Sequence, residues 1–272
     1  MAQRPVYCVS DHTGVTAEAF AHSLMSRFRE VDAVYEVRSF VSDEESVAGV
    51  VDEVRAAVEA GKQPLVFSTL TDPTMRDRLR DSGAFVLGLF DYFVDDLANE
   101  LGSDPSSEVG SFHGIRDLAK YQRRLDAVDF TLATDDGLGT KNYDLADVIL
   151  IGVSRVGKTP TALFMAMHRG LFAANYPLAD QELDSNRLPP VLEPHREKLY
   201  ALTIDPIRLH QIRNKRRPDS TYAALATCTR EVSAAERMFR TERVPVTNTT
   251  TQSIEEIAAT VQATAGLAGS RL

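Results

Sequence analysis

Cysteine is nearly missing from this 272-residue chain, which carries only Cys8 and Cys228. Two thiols cannot staple a fold, and no Cys/His group has zinc-site spacing, so a disulfide scaffold and a structural zinc module are excluded. Positive charge is also short: Lys+Arg 30 against Asp+Glu 39 gives a formal net charge of −9. Proteins hold nucleic-acid backbones by neutralising them with Lys and Arg, so nucleic acid is not an expected partner. No apolar run approaches the roughly 20 residues of a membrane span, so no membrane partner is expected. The start, Met1-Ala-Gln-Arg-Pro5, leads into a strand without a secretory apolar region, and a cytoplasmic location is expected. Internal repeats and low-complexity segments are absent too. What remains is ordinary for a globular protein, 43% hydrophobic and 25% charged. The length suits two domains or one large one.

The first third alternates strands and helices. Pro5-Val-Tyr-Cys-Val9 reads as a short buried strand, followed by Ser10-Asp-His-Thr-Gly14. Thr16 is placed to cap a helix whose Ala17, Phe20, Ala21, Leu24 and Phe28 share a face. Val34 to Phe40 alternates as a strand does. Asp43 then opens a helix to about Ala60, in which Val47, Val50, Val51, Val54 and Val58 repeat at helical spacing. Pro64 to Ser68 is a third strand, and Asp72-Pro73 opens a third helix ending near Gly83. Phe85 to Gly88 and Phe90 to Leu101 complete a fourth pair. Consecutive βα units imply a parallel sheet covered on both faces, with ligands at the C-terminal strand ends. Ser10, Asp11 and Thr13 stand at one such end, and Ser68 and Thr69 at another. Helix capping accounts for these residue types; an anion pocket for regulation or a partner is the alternative.

Gly102 to Ser111 has the composition of a linker. The predicted architecture is α/β throughout. An N-terminal Rossmann-like parallel-sheet domain spans 1–105, and a C-terminal P-loop kinase-like domain spans 106–272.

The second domain carries the chemistry. Gly152, Val153, Ser154, Arg155, Val156, Gly157, Lys158 and Thr159 have the spacing of a phosphate-cradling P-loop. Val148 to Gly152 ahead of it is an apolar, β-branched run that reads as a buried parallel strand. Behind it, Pro160 suits a first helical turn and Thr161 to His168 continue with good helix formers. Strand, glycine turn and helix are the context this motif needs, and a nucleotide is the expected ligand. Lys158 would reach the transferable phosphate and Thr159 would sit on Mg²⁺. Asn214-Lys-Arg-Arg217 lacks the Asp of a guanine-specific motif, so a GTPase switch is not expected.

Upstream, Ile115 to about Val128 reads as a helix, and Phe130 to Ala133 as a short strand ending in Asp135 and Asp136. Asp136-Gly137 is a common turn, yet the two carboxylates precede the P-loop strand closely enough to return to the phosphate site. Phe172 to Pro177 and Leu199 to Ile204 are further strands. Asp205 ends the second of these. It can hold the metal, as the acid after such a strand often does, or cap the helix that Pro206 begins. That helix carries Arg208, Arg213, Lys215, Arg216 and Arg217, either a solvated face or a cover for the phosphates. Thr221 to Thr241 is helical, Val244 to Asn248 is a last strand, and Ser253-Ile-Glu-Glu256 is a capping box opening the terminal helix.

Together, Val153 to Pro160, Ala174-Asn-Tyr-Pro177, Leu202-Thr-Ile-Asp-Pro206 and Asp135-Asp136-Gly137 resemble the bacterial phosphoenolpyruvate synthase regulatory proteins. These are kin to the pyruvate, phosphate dikinase regulatory proteins. The resemblance runs from Val9-Ser-Asp to Asn248-x-Thr250 and the terminal helix. It departs at Thr134, where the family pattern has a histidine. It implies a bifunctional enzyme. ADP is the donor that phosphorylates and inactivates a threonine of phosphoenolpyruvate synthase, the partner protein. Inorganic phosphate later removes that group, releasing pyrophosphate. Asp136 is then the expected proton acceptor and donor with Asp135 in support, Lys158 neutralises the migrating phosphoryl group, and Thr159 and Asp205 are metal candidates. Regulation of the dikinase by the same chemistry, a small-molecule kinase and a nucleotide-gated binder are the alternatives; homodimerisation is left open.

Overall fold

The computed structural model describes residues 3–105 and 118–267. By contact density the chain forms two compact units, Met1–Arg116 and Asp117–Leu272. The linker expected at 102–111 lies, from residue 106 onward, outside the described residues, as do the first residues of the helix expected from Ile115.

The first unit runs β1 (Arg4–Val9), α1 (Val15–Met25), β2 (Ala33–Arg38), α2 (Glu44–Glu59), β3 (Leu65–Ser68), α3 (Pro73–Arg80), β4 (Phe85–Gly88) and α4 (Leu89–Leu101). Its strands pair in parallel in the order β2-β1-β3-β4. Side chains alternate across the central strands. Tyr7, Val9 and Val66 face Val47, Val50, Val51 and Val54 of α2, while Val6, Cys8 and Phe67 face Ala17, Ala21 and Met25 of α1. Burial pushes the Cys8 thiol up to about 11, so it is held as the neutral thiol. Asp43 caps α2 through a reciprocal bond pair with Ser46, and Asp72 caps α3 with Pro73 at its first position.

Thr16 does not cap α1. The helix begins two residues earlier than such a cap implies, at Val15, with Gly14 at the cap in a left-handed conformation (φ +80°). A Cβ on Gly14 would lie 2.7 Å from Val37 Cγ1, so close approach of β2 fixes the turn there. The hydroxyl-rich strand ends serve their own loops. Ser10 Oγ accepts from the His12 amide and Ser68 Oγ from the Leu70 amide. Asp11 Oδ2 accepts from the Thr71 amide and hydroxyl at 2.8 and 2.7 Å, tying the two loops together.

The second unit runs α5 (Leu118–Ala133), β5 (Val148–Gly152), α6 (Lys158–Arg169), β6 (Ala173–Pro177), α7 (Asp180–Ser185), β7 (Leu199–Thr203), α8 (Pro206–Arg216), α9 (Leu225–Glu242), β8 (Val246–Asn248) and α10 (Ile254–Thr264). Tight 3₁₀ turns fill Asp135–Gly137, Thr140–Leu145 and Glu193–Lys198. The strands are again parallel, in the order β6-β5-β7-β8. This is the strand order of the first unit, with the first strand central and a reversal between it and the third. Crevices for ligands form at such reversals, and here that point lies between the ends of β5 and β7.

The strand expected at Phe130 to Ala133 is instead the last turn of α5. Ala127, Phe130 and Thr131 are buried at helical spacing, and Thr131 Oγ1 donates to the Ala173 carbonyl at 2.9 Å. A four-residue apolar run does not separate the two readings; the buried face carried on from the preceding turns does. The capping box at Ser253 forms with Glu256 as expected. Among the described residues no helix is long and apolar enough to cross a membrane.

Candidate active site

Every residue of β5 is buried. Its last, Gly152, has φ +154°, and a Cβ there would lie 2.4 Å from the Leu202 carbonyl of β7. No side chain fits between these two strands where the loop departs. Gly157, with φ +98°, occupies the N-cap of α6 and has open space around it, so here the backbone conformation alone requires glycine. No side chain caps α6. Its first-turn N–H groups have no intrahelical partner, and with the helix dipole they are suited to an anion.

The loop is braced from both sides. Arg213 Nη2 donates to the Ser154 carbonyl at 3.1 Å, the Tyr222 hydroxyl to Ser154 Oγ at 2.9 Å, and Thr249 Oγ1 to the Val156 carbonyl at 3.1 Å. Arg213 is fully buried. It pairs with Glu231 at 2.7 Å and stacks 4.1 Å from the Tyr222 ring. The basic helix therefore does not present a uniform charged face. Arg213 points inward and shapes the loop, and its spacing of four from buried Leu209 was the sequence signal for that.

Lys158 is buried, and its ammonium donates to the carbonyls of Gly152 and Val153, both at 3.0 Å. Burial lowers its pKa to about 8, against the charges of Asp136 and then Asp135, while Arg213 and Arg155 add to the lowering. An ammonium has three donors, so one remains for a ligand oxygen.

The acidic pair meets the loop. Thr159 Oγ1 donates to Asp135 Oδ1 at 2.8 Å, and Asn175 Nδ2 donates to the same oxygen at 2.5 Å. Asn175 Oδ1 in turn accepts the Asp136 amide at 3.1 Å. Asp136 sits in the left-handed region (φ 51°, ψ 38°), which Asp and Asn tolerate. Its carboxylate is exposed and makes no hydrogen bond or ion pair among the described residues. Asn175 had no assigned role from sequence; a polar residue, wholly buried within an apolar strand, was the available clue. Thr134 Oγ1 donates to the Phe130 carbonyl one turn back, so that hydroxyl closes the helix end.

Asp205 takes the capping geometry. Its Oδ1 accepts from the Ile207 and Arg208 amides at 2.9 and 3.1 Å, and its own amide donates to Thr250 Oγ1. The structure therefore brings the turn that carries Asp135 and Asp136 against Thr159 at the start of α6, next to Lys158, with Asp205 after the end of the neighbouring strand β7.

A parallel sheet whose central strand turns through glycines into a lysine-headed helix, with a carboxylate on the following threonine, defines a P-loop α/β protein. A family model described as kinase/pyrophosphorylase matches residues 6–262, and the chain belongs to that family. Among its relatives is a protein of Stenotrophomonas maltophilia strain K279a, 49% identical over 265 residues covering 97% of each chain. Another, from Xanthomonas oryzae pv. oryzae, is 48% identical over the same share. Both are named as phosphoenolpyruvate synthase regulatory proteins.

Proposed function

We propose that this chain is a bifunctional serine/threonine protein kinase and phosphorylase regulating phosphoenolpyruvate synthase. It transfers the β-phosphate of ADP to a threonine of the synthase, inactivating it, and later removes that phosphate with inorganic phosphate. The family match and the relatives' names support the class and the target; the names also favour the synthase over the dikinase. The observation that carries the chemistry is the Thr159–Asp135 contact at 2.8 Å, which joins the acidic pair to the phosphate loop.

In the kinase direction Asp136 accepts the proton of the threonine hydroxyl as its oxygen attacks the β-phosphorus. The bond to AMP breaks, and the proton passes to solvent. Lys158 spends its third donor on the migrating oxygens, and the loop amides hold the rest. In the other direction an oxygen of hydrogen phosphate attacks the phosphothreonine phosphorus. The threonine oxygen leaves with a proton from Asp136, replaced in net terms by that of the hydrogen phosphate, and pyrophosphate departs. The hydroxyl of Thr159 and the carboxylate of Asp135 are hard oxygen donors that fit Mg²⁺; Asp205, the other candidate, has its Oδ1 engaged in capping α8. Among the described residues no three acidic, His or Cys side chains cluster as a metal site. Mg²⁺ commonly takes one or two protein carboxylates plus phosphate oxygens. Bound there, Mg²⁺ would neutralise phosphoryl charge.

Incubation of the protein and the synthase with ADP labelled in its β-phosphate tests the reading. Label on a synthase threonine is expected; label that stays in nucleotide overturns it.

A pH signature accompanies binding. Because Lys158 titrates near 8 in the protein alone and a diphosphate favours its charged form, ADP binding takes up a proton between about pH 8 and 10.5. Affinity should fall as pH rises through that window. Calorimetry in buffers of different ionisation enthalpy reads the uptake. Binding without proton uptake at pH 9 would put the phosphates away from this lysine.

A further inference from the structure

Beside the P-loop lies a cavity of about 240 Å³ lined by Ser154, Arg155, Arg216, Arg217 and Tyr222. We infer that this cavity is a second phosphate subsite, which holds the inorganic phosphate consumed in phosphorolysis; the assignment of that ligand rests on the function proposed above.

Charge is the first argument. Arg38, Arg76, Arg80, Arg196 and Arg213 each pair with a carboxylate. The guanidinium groups of Arg155, Arg216 and Arg217 have no hydrogen bond or ion pair among the described residues, and all three border one cavity. In a chain of net charge −9, three cations converging without a carboxylate form a focused positive field. Guanidinium forks match phosphate oxygens bidentately, so the chemistry selected is a tetrahedral oxyanion.

Construction is the second. The wall is rigid: Tyr222 is tethered to Ser154 Oγ, and buried Arg213 fastens both the Ser154 and Tyr222 carbonyls while stacking on the Tyr222 ring. With Arg213 against that ring and no other apolar side chain in the lining, the cavity is poorly suited to a nucleotide base.

Position decides between sources of phosphate. Ser154 and Arg155 belong to the P-loop itself, so an anion in the cavity neighbours the phosphoryl group held by Lys158 and the loop amides. An attacking phosphate in the cavity and a phosphoryl group in the loop become the two halves of pyrophosphate when the new P–O–P bond forms and the bond to threonine oxygen breaks. A phosphothreonine arrives with its polypeptide, whereas this lining offers only donors for a small ion.

Arg216→Ala, Arg217→Ala and the double variant test this. These side chains are exposed near the end of α8, and circular dichroism and thermal melts check that the fold is kept. Inorganic phosphate is titrated calorimetrically into parent and variants, and the KM values for phosphate, phosphorylated synthase and ADP are measured. Loss of a charged hydrogen-bond partner should weaken phosphate binding about tenfold per arginine and raise its KM in step, with the other two KM values unchanged. Unchanged phosphate affinity overturns the inference. So does a rise confined to the KM of the phosphoprotein, which would make the cavity a protein-docking element, or to that of ADP, which would make it a nucleotide contact. If the parent catalyses no phosphorolysis, the function proposed above fails, and the phosphate titration still decides whether the arginines form a phosphate site.

Discussion

Lys158→Ala is expected to abolish both directions of the reaction, by at least about 10²–10³-fold, the scale of a deleted oxyanion donor. In the proposed mechanism each reaction moves a phosphoryl group past the same ammonium, so both activities should be lost together. The side chain is buried and tied to the Gly152 and Val153 carbonyls, so the shape of the loop must be checked separately. Its charge is held in the interior at a cost, as the lowered pKa records, so removing it need not lower the melting temperature. Lys158→Arg is not a rescue, because a planar fork cannot replace a compact ammonium in a closed site. A variant that keeps near-normal phosphorolysis while losing kinase activity would break the shared-site account.

Asp136→Asn should lower turnover by about 10²–10⁴-fold in both directions, the usual worth of general acid–base catalysis. The substitution is clean for a structural reason. Asn accepts the left-handed backbone of residue 136, and the amide that donates to Asn175 is unchanged. ADP affinity should therefore hold while turnover collapses. Asp135→Asn keeps one acceptor oxygen for Thr159 and Asn175, so a smaller loss is expected there. Full activity of a folded Asp136→Asn protein in both directions would reduce Asp136 to a turn former.

Local signals carried most of the fold. The valine repeat of α2, the caps at Asp43, Asp72 and Ser253 and the apolar run of β5 each fix an element from neighbouring residues alone. The errors came where distant contacts decide. Phe130 to Ala133 is helical because its buried face continues that of α5 onto β6, and α1 starts at Val15 because β2 crowds Gly14. The phosphate loop was legible because its spacing is itself the signal. Its supports were not: Arg213 looks like surface charge until Glu231, 18 residues on, comes to meet it, and Asn175 gains meaning only when Asp135, 40 residues earlier, closes on it. Asp205 offered two roles of equal merit, and the structure displays the cap.

The donor is the most distinctive part of the account, because a P-loop sequence does not reveal which phosphate it transfers. Mass analysis of the nucleotide left after the protein phosphorylates purified phosphoenolpyruvate synthase reads this directly. ADP is expected to be converted to AMP, one for each phosphothreonine formed, with ATP a poor donor. Efficient phosphorylation from ATP that leaves ADP, with no AMP formed from ADP, would contradict it and make the protein an ordinary ATP-dependent kinase.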